Sequence, residues 1–231
     1  MMFADLSAAL STVLPAADAT AYERAIIDDN CTGKSTTATR RATQQRLSEL
    51  YGLDPDDLIF RALRHLWDRD VLGRPLMAVT CALARDPRLR QTAPFILDLR
   101  PDAELQREVM KDAVRSEAHN RLSEATLDKV VRNASSTWVQ SGHLNGRTFK
   151  RRAHVVATPA AATYAAYVAY LAGHRGMDMF ASDWFRVLDL RPEQALDMLQ
   201  EARRLDMVDL RIAGEVVSIR FDRLAADPRR A

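Results

Sequence analysis

The chain has 231 residues, 47% of them apolar and 28% charged, with 33 Lys and Arg set against 31 Asp and Glu. That make-up excludes collagen-like, disordered and disulfide-scaffold classes, and the length fits one large domain or two small ones, either able to bury a core. Eight glycines and nine prolines are few, and abundant Ala, Leu and Arg favour helix over strand. Cys31 and Cys81 lie far apart with no metal-ligand or CxxC spacing, which predicts two buried thiols in a reducing cytoplasm, with neither a zinc site nor a disulfide.

The opening run MMFADLSAALSTVL has no basic start and carries Asp5 inside its apolar pattern, so it reads as an amphipathic helix and not as a signal peptide. A second helix is expected over 20–29. A third starts at Ser35 or Thr36 and stops at Gly52, a residue suited to a C-terminal cap. Asp54 and Pro55 read as the N-cap and first residue of a fourth, whose Leu58, Ile59, Ala62, Leu63, Leu66 and Trp67 follow the three-four spacing of a buried face. Further helices are expected over 75–85, 87–97, 101–120 and 123–140, with breaks at Asp86-Pro87 and Arg100-Pro101 because the residue before proline avoids the α region.

The glycines and Asn of 141–147 mark a boundary. After it come an extended segment over 148–156, an alanine-rich helix opened by Thr158-Pro159 and reaching Gly173, a short helix over 182–188, a helix from Pro192 to 205, and two strands, 207–212 and 215–221, around Ala213-Gly214. Helix, helix, helix, hairpin is the order of a winged helix-turn-helix, with the helix from Pro192 in the recognition position. The expected fold is therefore mainly α: an N-terminal helical bundle over 1–145, followed by a winged-helix-like C-terminal domain over 146–231 with a small β-hairpin.

Residues 155–173 carry no charge and have basic flanks, Arg151, Arg152 and His154 before, His174 and Arg175 after. The helical part past Pro159 is about 15 residues, or ~22 Å, against a hydrocarbon core of ~30 Å. Its Tyr164, Tyr167 and Tyr170 also want hydrogen-bond partners. A buried helix is expected, and no membrane span.

The near-neutral sum of charges hides a segregated pattern. From 129 to 177 there is no Asp or Glu, while Lys129, Arg132, Arg147, Lys150, Arg151, Arg152 and Arg175 fall there; from 30 to 48 there is again no acid, with Lys34, Arg40, Arg41 and Arg46. The rest of the chain then holds 22 basic against 31 acidic residues and is nine negative. If the fold joins the two windows, a positive face forms on an acidic body and attracts polyanions; otherwise they are two solvated segments.

Gly33-Lys34-Ser35 is the tail of a P-loop, but Asp28 stands where the first glycine belongs and the preceding run is helical in pattern, so nucleotide hydrolysis is not expected. What is left is either a hydroxyl-rich helix start that holds an anion, with Arg40 and Arg41 one turn on, or a plain capped helix. The 123–140 helix sets Leu127, Val130, Val131, Ala134 and Trp138 on an apolar stripe and Lys129, Arg132, Asn133, Ser136 and Gln140 on an acid-free polar face, side chains that donate to phosphates and sugars. Trp138, being in the stripe, is expected in the core. Arg147, Lys150, Arg151, Arg152 and His154 follow as a phosphate clamp. The supposed recognition helix instead exposes Glu193 and Asp197 early, which a DNA backbone would repel. The five histidines, His65, His119, His143, His154 and His174, are scattered without ligand spacing, and no nucleophile or carboxylate pair has a fitting context. No catalysis, cofactor, metal or small-molecule substrate is expected.

The runs NCTGKSTTATRR at 30–41 and SSTWVQSGHL at 135–144, with Gly146-Arg147 after the second, the Thr158-Pro159 helix start and the closing strand 217–221 together resemble the BrxA proteins of BREX phage-defence systems. The likeness spans most of the chain. It implies a non-enzymatic, cytoplasmic, mainly helical protein with winged-helix-like parts that binds double-stranded DNA and acts beside other phage-defence proteins. The residues expected to contact DNA phosphates are Lys34, Arg40, Arg41, Lys129, Arg132, Arg147, Lys150, Arg151 and Arg152. The competing expectations are an adaptor that docks on a larger defence enzyme and an RNA-binding helical protein.

Overall fold

Two helices without an exposed face set the architecture. In α5 (Arg74–Arg85) every residue over 76–83 is buried, and in α10 (Pro159–Leu171) every residue over 160–169. A helix buried all round must be covered on all sides, and the small side chains of α10 let it lie close against α5. Their few polar groups are satisfied locally: Thr80 donates to the Leu76 carbonyl at 2.8 Å, Thr163 to the Pro159 carbonyl at 2.8 Å and the Tyr164 hydroxyl to the Ile59 carbonyl at 3.2 Å. The structure, a computed structural model, describes residues 1–117, 121–214 and 216–226.

Amphipathic helices wrap this pair. α1 (Phe3–Thr12), α2 (Ala19–Ile27) and α3 (Thr37–Tyr51) pack on one another, and α3 reaches α5. Thr36 caps α3 by accepting from the Thr39 N–H at 3.2 Å, and Gly52 ends it at φ 89°. The next helix, α4 (Leu58–Trp67), begins later than Asp54-Pro55 predicts. Asp57 is the cap, accepting from the N–H groups of Ile59 and Phe60 at 2.9 and 3.1 Å, while Asp54 closes a turn by accepting from the Asp56 N–H.

The expected 87–97 helix is broken in two, α6 (Pro87–Gln91) and α7 (Pro94–Leu97). Pro94 cannot donate to a carbonyl one turn back, and the Thr92 hydroxyl turns onto the Leu89 carbonyl at 2.6 Å. The expected 101–120 helix starts only at Arg107, as α8 (Arg107–Glu117); residues 118–120 lie outside the described ones. Asp102 sits at φ 62°, and 102–105 pairs instead with the chain at 150–152: the Leu105 N–H donates to the Lys150 carbonyl at 2.8 Å and the Arg152 N–H to the Ala103 carbonyl at 2.9 Å. α9 (Glu124–Gln140), capped by Ser123, packs antiparallel on α8.

A small antiparallel hairpin follows, β1 (Leu144–Asn145) with β2 (Arg151–Arg152), in the register Leu144↔Arg152 and Asn145↔Arg151. After α10 come a 3₁₀ turn (Gly176–Met179), α11 (Asp183–Arg186), α12 (Pro192–Arg204), a second hairpin of β3 (Asp209–Ala213) and β4 (Val216–Arg220), and α13 (Asp222–Ala225). Among the described residues the fold is thus mainly α with a small hairpin at β3–β4, as the sequence predicts, and a second at β1–β2 where only an extended segment is expected; Glu215 lies outside the described residues. Among the described residues no helix is long and apolar enough to cross a membrane.

Buried residues on the two sides of the expected boundary at 145/146 pack together. α10 packs on α4 and α5 as well as on α11 and α12, Phe221 stacks on Tyr167 and Tyr170 with centroids 5.3 Å apart, and α13 returns to α4. The buried side chains of both halves form one continuous cluster. Ala165, 0% exposed in this cluster, is the place to test it. Ala165→Leu should cost about 1–3 kcal/mol through overpacking and lower a single urea transition; separate transitions for the two halves in fluorescence and circular dichroism would show independent units.

Candidate nucleic-acid interface

The first acid-free window folds around itself. Lys34 pairs with Asp5 at 2.7 Å, and Arg40 donates from Nε to the Lys34 carbonyl and from a terminal nitrogen to the Ile27 carbonyl, both at 3.2 Å. These side chains hold the α2–α3 loop shut, so the P-loop-like run is a stapled helix start and Lys34 is not a free phosphate ligand. Arg41 is exposed. Arg46 is shared between Glu49 at 2.8 Å and Asp86 at 3.8 Å.

The second window meets the first at one place. A cleft of about 630 Å³ lies between α3, the start of α6 and α9, with Arg46, Arg88, Asn133 and Ser136 on its walls and Met1 and Met2 also lining it. Arg88, which the windows do not include, is exposed and pairs with no acid among the described residues. The polar face of α9 borders this cleft: Lys129, Arg132, Asn133 and Ser136 are exposed, while Leu127, Val131, Ala134 and Trp138 are buried. Trp138 donates its indole N–H to Thr92 Oγ1 at 2.9 Å, a core role as expected. With Glu49 and Asp86 interposed, the junction of the two windows is a mixed surface and not a bare positive one.

A further concentration of basic charge is the β1–β2 hairpin, where Arg151 lies across from Glu104 of the neighbouring segment and donates to the Asp102 carbonyl at 3.3 Å. Arg147, Lys150 and Arg151 sit at its tip and second strand, Arg147 and Arg151 exposed and Lys150 half-buried. Lys150 Nζ donates to the Arg147 carbonyl at 3.1 Å, which stiffens the tip. Gly146, at φ 97°, makes the turn; a Cβ there would collide with the Phe149 carbonyl oxygen.

Arg152 sits differently from its neighbours and is not on the surface with them. Side chains alternate along a strand, so Arg151 points out and Arg152 points in, 5% exposed, where its guanidinium pairs with Asp189 and donates to the Ala153 carbonyl. Asp189, in the left-handed region at φ 52°, is 8% exposed and also accepts from the Val155 N–H at 3.0 Å. Arg152 is therefore a buried anchor of the hairpin and cannot touch a phosphate. His154, 3.4 Å from the other Asp189 oxygen, remains on the surface.

His143, at the base of the hairpin, is a second anchor. It is fully buried, with Nε2 2.8 Å from the Val187 carbonyl, Nδ1 2.8 Å from Ser141 Oγ, and its ring edge-on to Trp138 at 5.0 Å. The Val187 carbonyl fixes Nε2 as a donor, and burial keeps the ring neutral, so that Nδ1 accepts from Ser141. Burial holds its pKa down at about 4.

α12 exposes Glu193 and Asp197 with Glu201 half-buried, an acidic row on the helix expected to hold the recognition position. Between α12 and the β3–β4 hairpin a pocket of about 240 Å³ gathers Arg203, Arg211 and Arg220, but Asp209 shares it and Arg220 pairs with Asp222. Cys81 is buried, its thiol pushed up to about 12, whereas Cys31 is half-buried rather than buried as expected. Among the described residues no His, Cys, Asp or Glu cluster can hold a metal; His119 lies outside them.

Two outcomes test the anchors. Asp189→Ala should cost about 3–5 kcal/mol, the penalty of leaving Arg152 buried without its partner, and hydrogen exchange at 150–153 should accelerate; wild-type stability would show that the pair anchors nothing. For His143 the unfolded chain takes a proton near pH 6.5, while the folded chain resists it until about 4. Stability should therefore fall as pH drops from 6.5 towards 4, by on the order of 3 kcal/mol, and level off below. Urea titrations of wild type and His143→Gln across that range should show the loss in the first and a flatter curve in the second.

No protein-family model, no curated protein and no solved structure matches the chain, and the reading of this surface comes from its geometry and chemistry.

Proposed function

We propose that the chain is a double-stranded DNA-binding accessory protein that grips the phosphate backbone and carries out no chemistry of its own. The observation that carries this reading is the β1–β2 hairpin: a rigid, glycine-turned tip that holds Arg147, Lys150 and Arg151 outward in a window from 129 to 177 with no acid. Lys129 and Arg132, exposed on α9 beside Asn133 and Ser136, supply further donors. Such side chains position a protein on a duplex with little sequence readout. The resemblance to BrxA proteins supports a place among phage-defence components, and the acidic row on α12 fits either a surface kept off DNA or a docking site for a basic partner protein.

Lys34 and Arg152 drop out of the contact set because Asp5 and Asp189 take up their charges, and half-buried Arg40 because it is held on two sides to the Lys34 and Ile27 carbonyls. With Arg147, Lys150, Arg151, Lys129 and Arg132 on phosphates, the logarithm of duplex affinity should fall with log salt at a slope of about −4.5, a loss of several hundredfold between 50 and 200 mM. Anisotropy titrations should show each of these five changed to Ala flattening the slope by about one, while Arg40→Ala leaves it as it is. Affinity indifferent to salt would overturn the proposal. Equal competition by RNA would point to RNA binding, and a partner captured despite nuclease treatment, with no duplex affinity, to the adaptor.

A further inference from the structure

Among the Phe, Tyr and Trp rings every one but Phe149 is buried or half-buried; Phe149 is exposed, at 66%. It stands at the tip of the β1–β2 hairpin, between Arg147 and the pair Lys150 and Arg151. A phenyl ring left in water forgoes the transfer free energy that the other rings gain on folding, and a flexible loop would fold it back onto the protein.

This loop is not free to do so. β2 is held on one edge by β1 and on the other by 102–105, through the Leu105 N–H to Lys150 carbonyl bond at 2.8 Å and the Asp102 N–H to Arg152 carbonyl bond at 2.9 Å. The Ala153 N–H donates to the His143 carbonyl at 2.9 Å, and Arg152 is locked to Asp189. Lys150 closes the tip onto the Arg147 carbonyl, and only glycine fits at 146. The ring is preorganised outward, with cations on both sides of it.

We propose that Phe149 is a wedge that enters the minor groove and partly unstacks one base step, kinking the duplex, while Arg147, Lys150 and Arg151 hold the flanking phosphates. This rests on the DNA-binding reading above and goes beyond it by giving the hairpin a deforming role. Apolar side chains used in this way are driven between base pairs by their own desolvation and by the extra backbone contact that a bend allows. A single ring is a poor membrane anchor, since stable surface binding takes more apolar area than one side chain supplies, and the guanidinium forks of Arg147 and Arg151 match phosphate oxygens.

The test uses the full chain and a 20-base-pair duplex with dyes at its ends and one 2-aminopurine at its centre. Wild type should shorten the end-to-end distance and raise 2-aminopurine fluorescence. Phe149→Ala should melt as wild type does, bind the duplex about ten- to a hundredfold more weakly with an unchanged salt slope, and abolish both signals; Phe149→Leu should restore part of each. If Phe149→Ala binds and bends the duplex like wild type, the wedge is overturned and phosphate binding stands. If its loss of affinity is larger on the single strand of the same sequence, stacking on unpaired bases replaces the wedge. If wild type binds no duplex at 50 mM salt, both readings fall, and Phe149-dependent binding to phosphatidylserine vesicles would then identify the tip as a lipid contact.

Discussion

The pairing of Arg152 with Asp189 fixes what the basic segment of the chain is able to do. Burying two opposite charges costs several kcal/mol per ion before attraction and hydrogen bonds offset it, and here the offset is shared with structure. One Asp189 oxygen meets the guanidinium and the other takes the Val155 N–H, so a single carboxylate ties the end of β2 and the segment after it to the α11–α12 loop. That loop is itself rooted in the core through Val187 and Leu188, which are 1% and 0% exposed. The His143 bond to the Val187 carbonyl adds a third tie from β1. A hairpin of two-residue strands has little stability alone, and these ties are why this one holds a defined shape.

The same logic runs inward from α9. Its inner face is set by Trp138, whose indole reaches Thr92 between α6 and α7 and whose ring meets His143 edge-on at 5.0 Å. With that stripe locked against the core, helical periodicity leaves Lys129, Arg132, Asn133 and Ser136 outward. α5 and α10 form the floor beneath. Their burial on all sides makes both parts of the chain depend on one core, so the hairpin, α9 and the acidic face of α12 keep fixed relative positions.

Helix type and order were legible in the residues because long amphipathic stripes and capping pairs are local signals: Thr36 before α3, Gly52 after it, Thr158-Pro159 at α10. Starts failed where a nearby competitor took the cap, as Asp57 did from Asp54, or where a distant segment offered better pairing, as 150–152 did for 102–105. For the candidate site, the clusters of charge were visible but their roles were not. Lys150, Arg151 and Arg152 look alike in the sequence, and only the alternation of β2 sends Arg152 inward to Asp189, 37 positions away. The partners of Lys34 and Arg40 are hidden for the same reason, since Asp5 and the Ile27 carbonyl approach them only in the fold. Phe149 carried a readable signal, an aromatic residue set among cations, but its exposure depends on a rigidity that no local pattern shows.

Charge segregation acts differently once these partners are counted. Pairing inside the fold neutralises Lys34 and Arg46 of the first window and Arg152 of the second, so cations without an acid partner among the described residues remain on α3, on the hairpin tip and on α9. Glu104 and Asp102 border the hairpin, and the acidic row on α12 belongs to another element. A polyanion approaching this surface is repelled by one side and drawn to the other, and a small number of charges at a fixed tip then orients encounter more effectively than a larger number spread over the molecule. The near-zero net charge of +2 limits attraction at long range, and at physiological salt, where screening acts over about 8 Å, the close and rigid cluster is the part of the field that a duplex still feels.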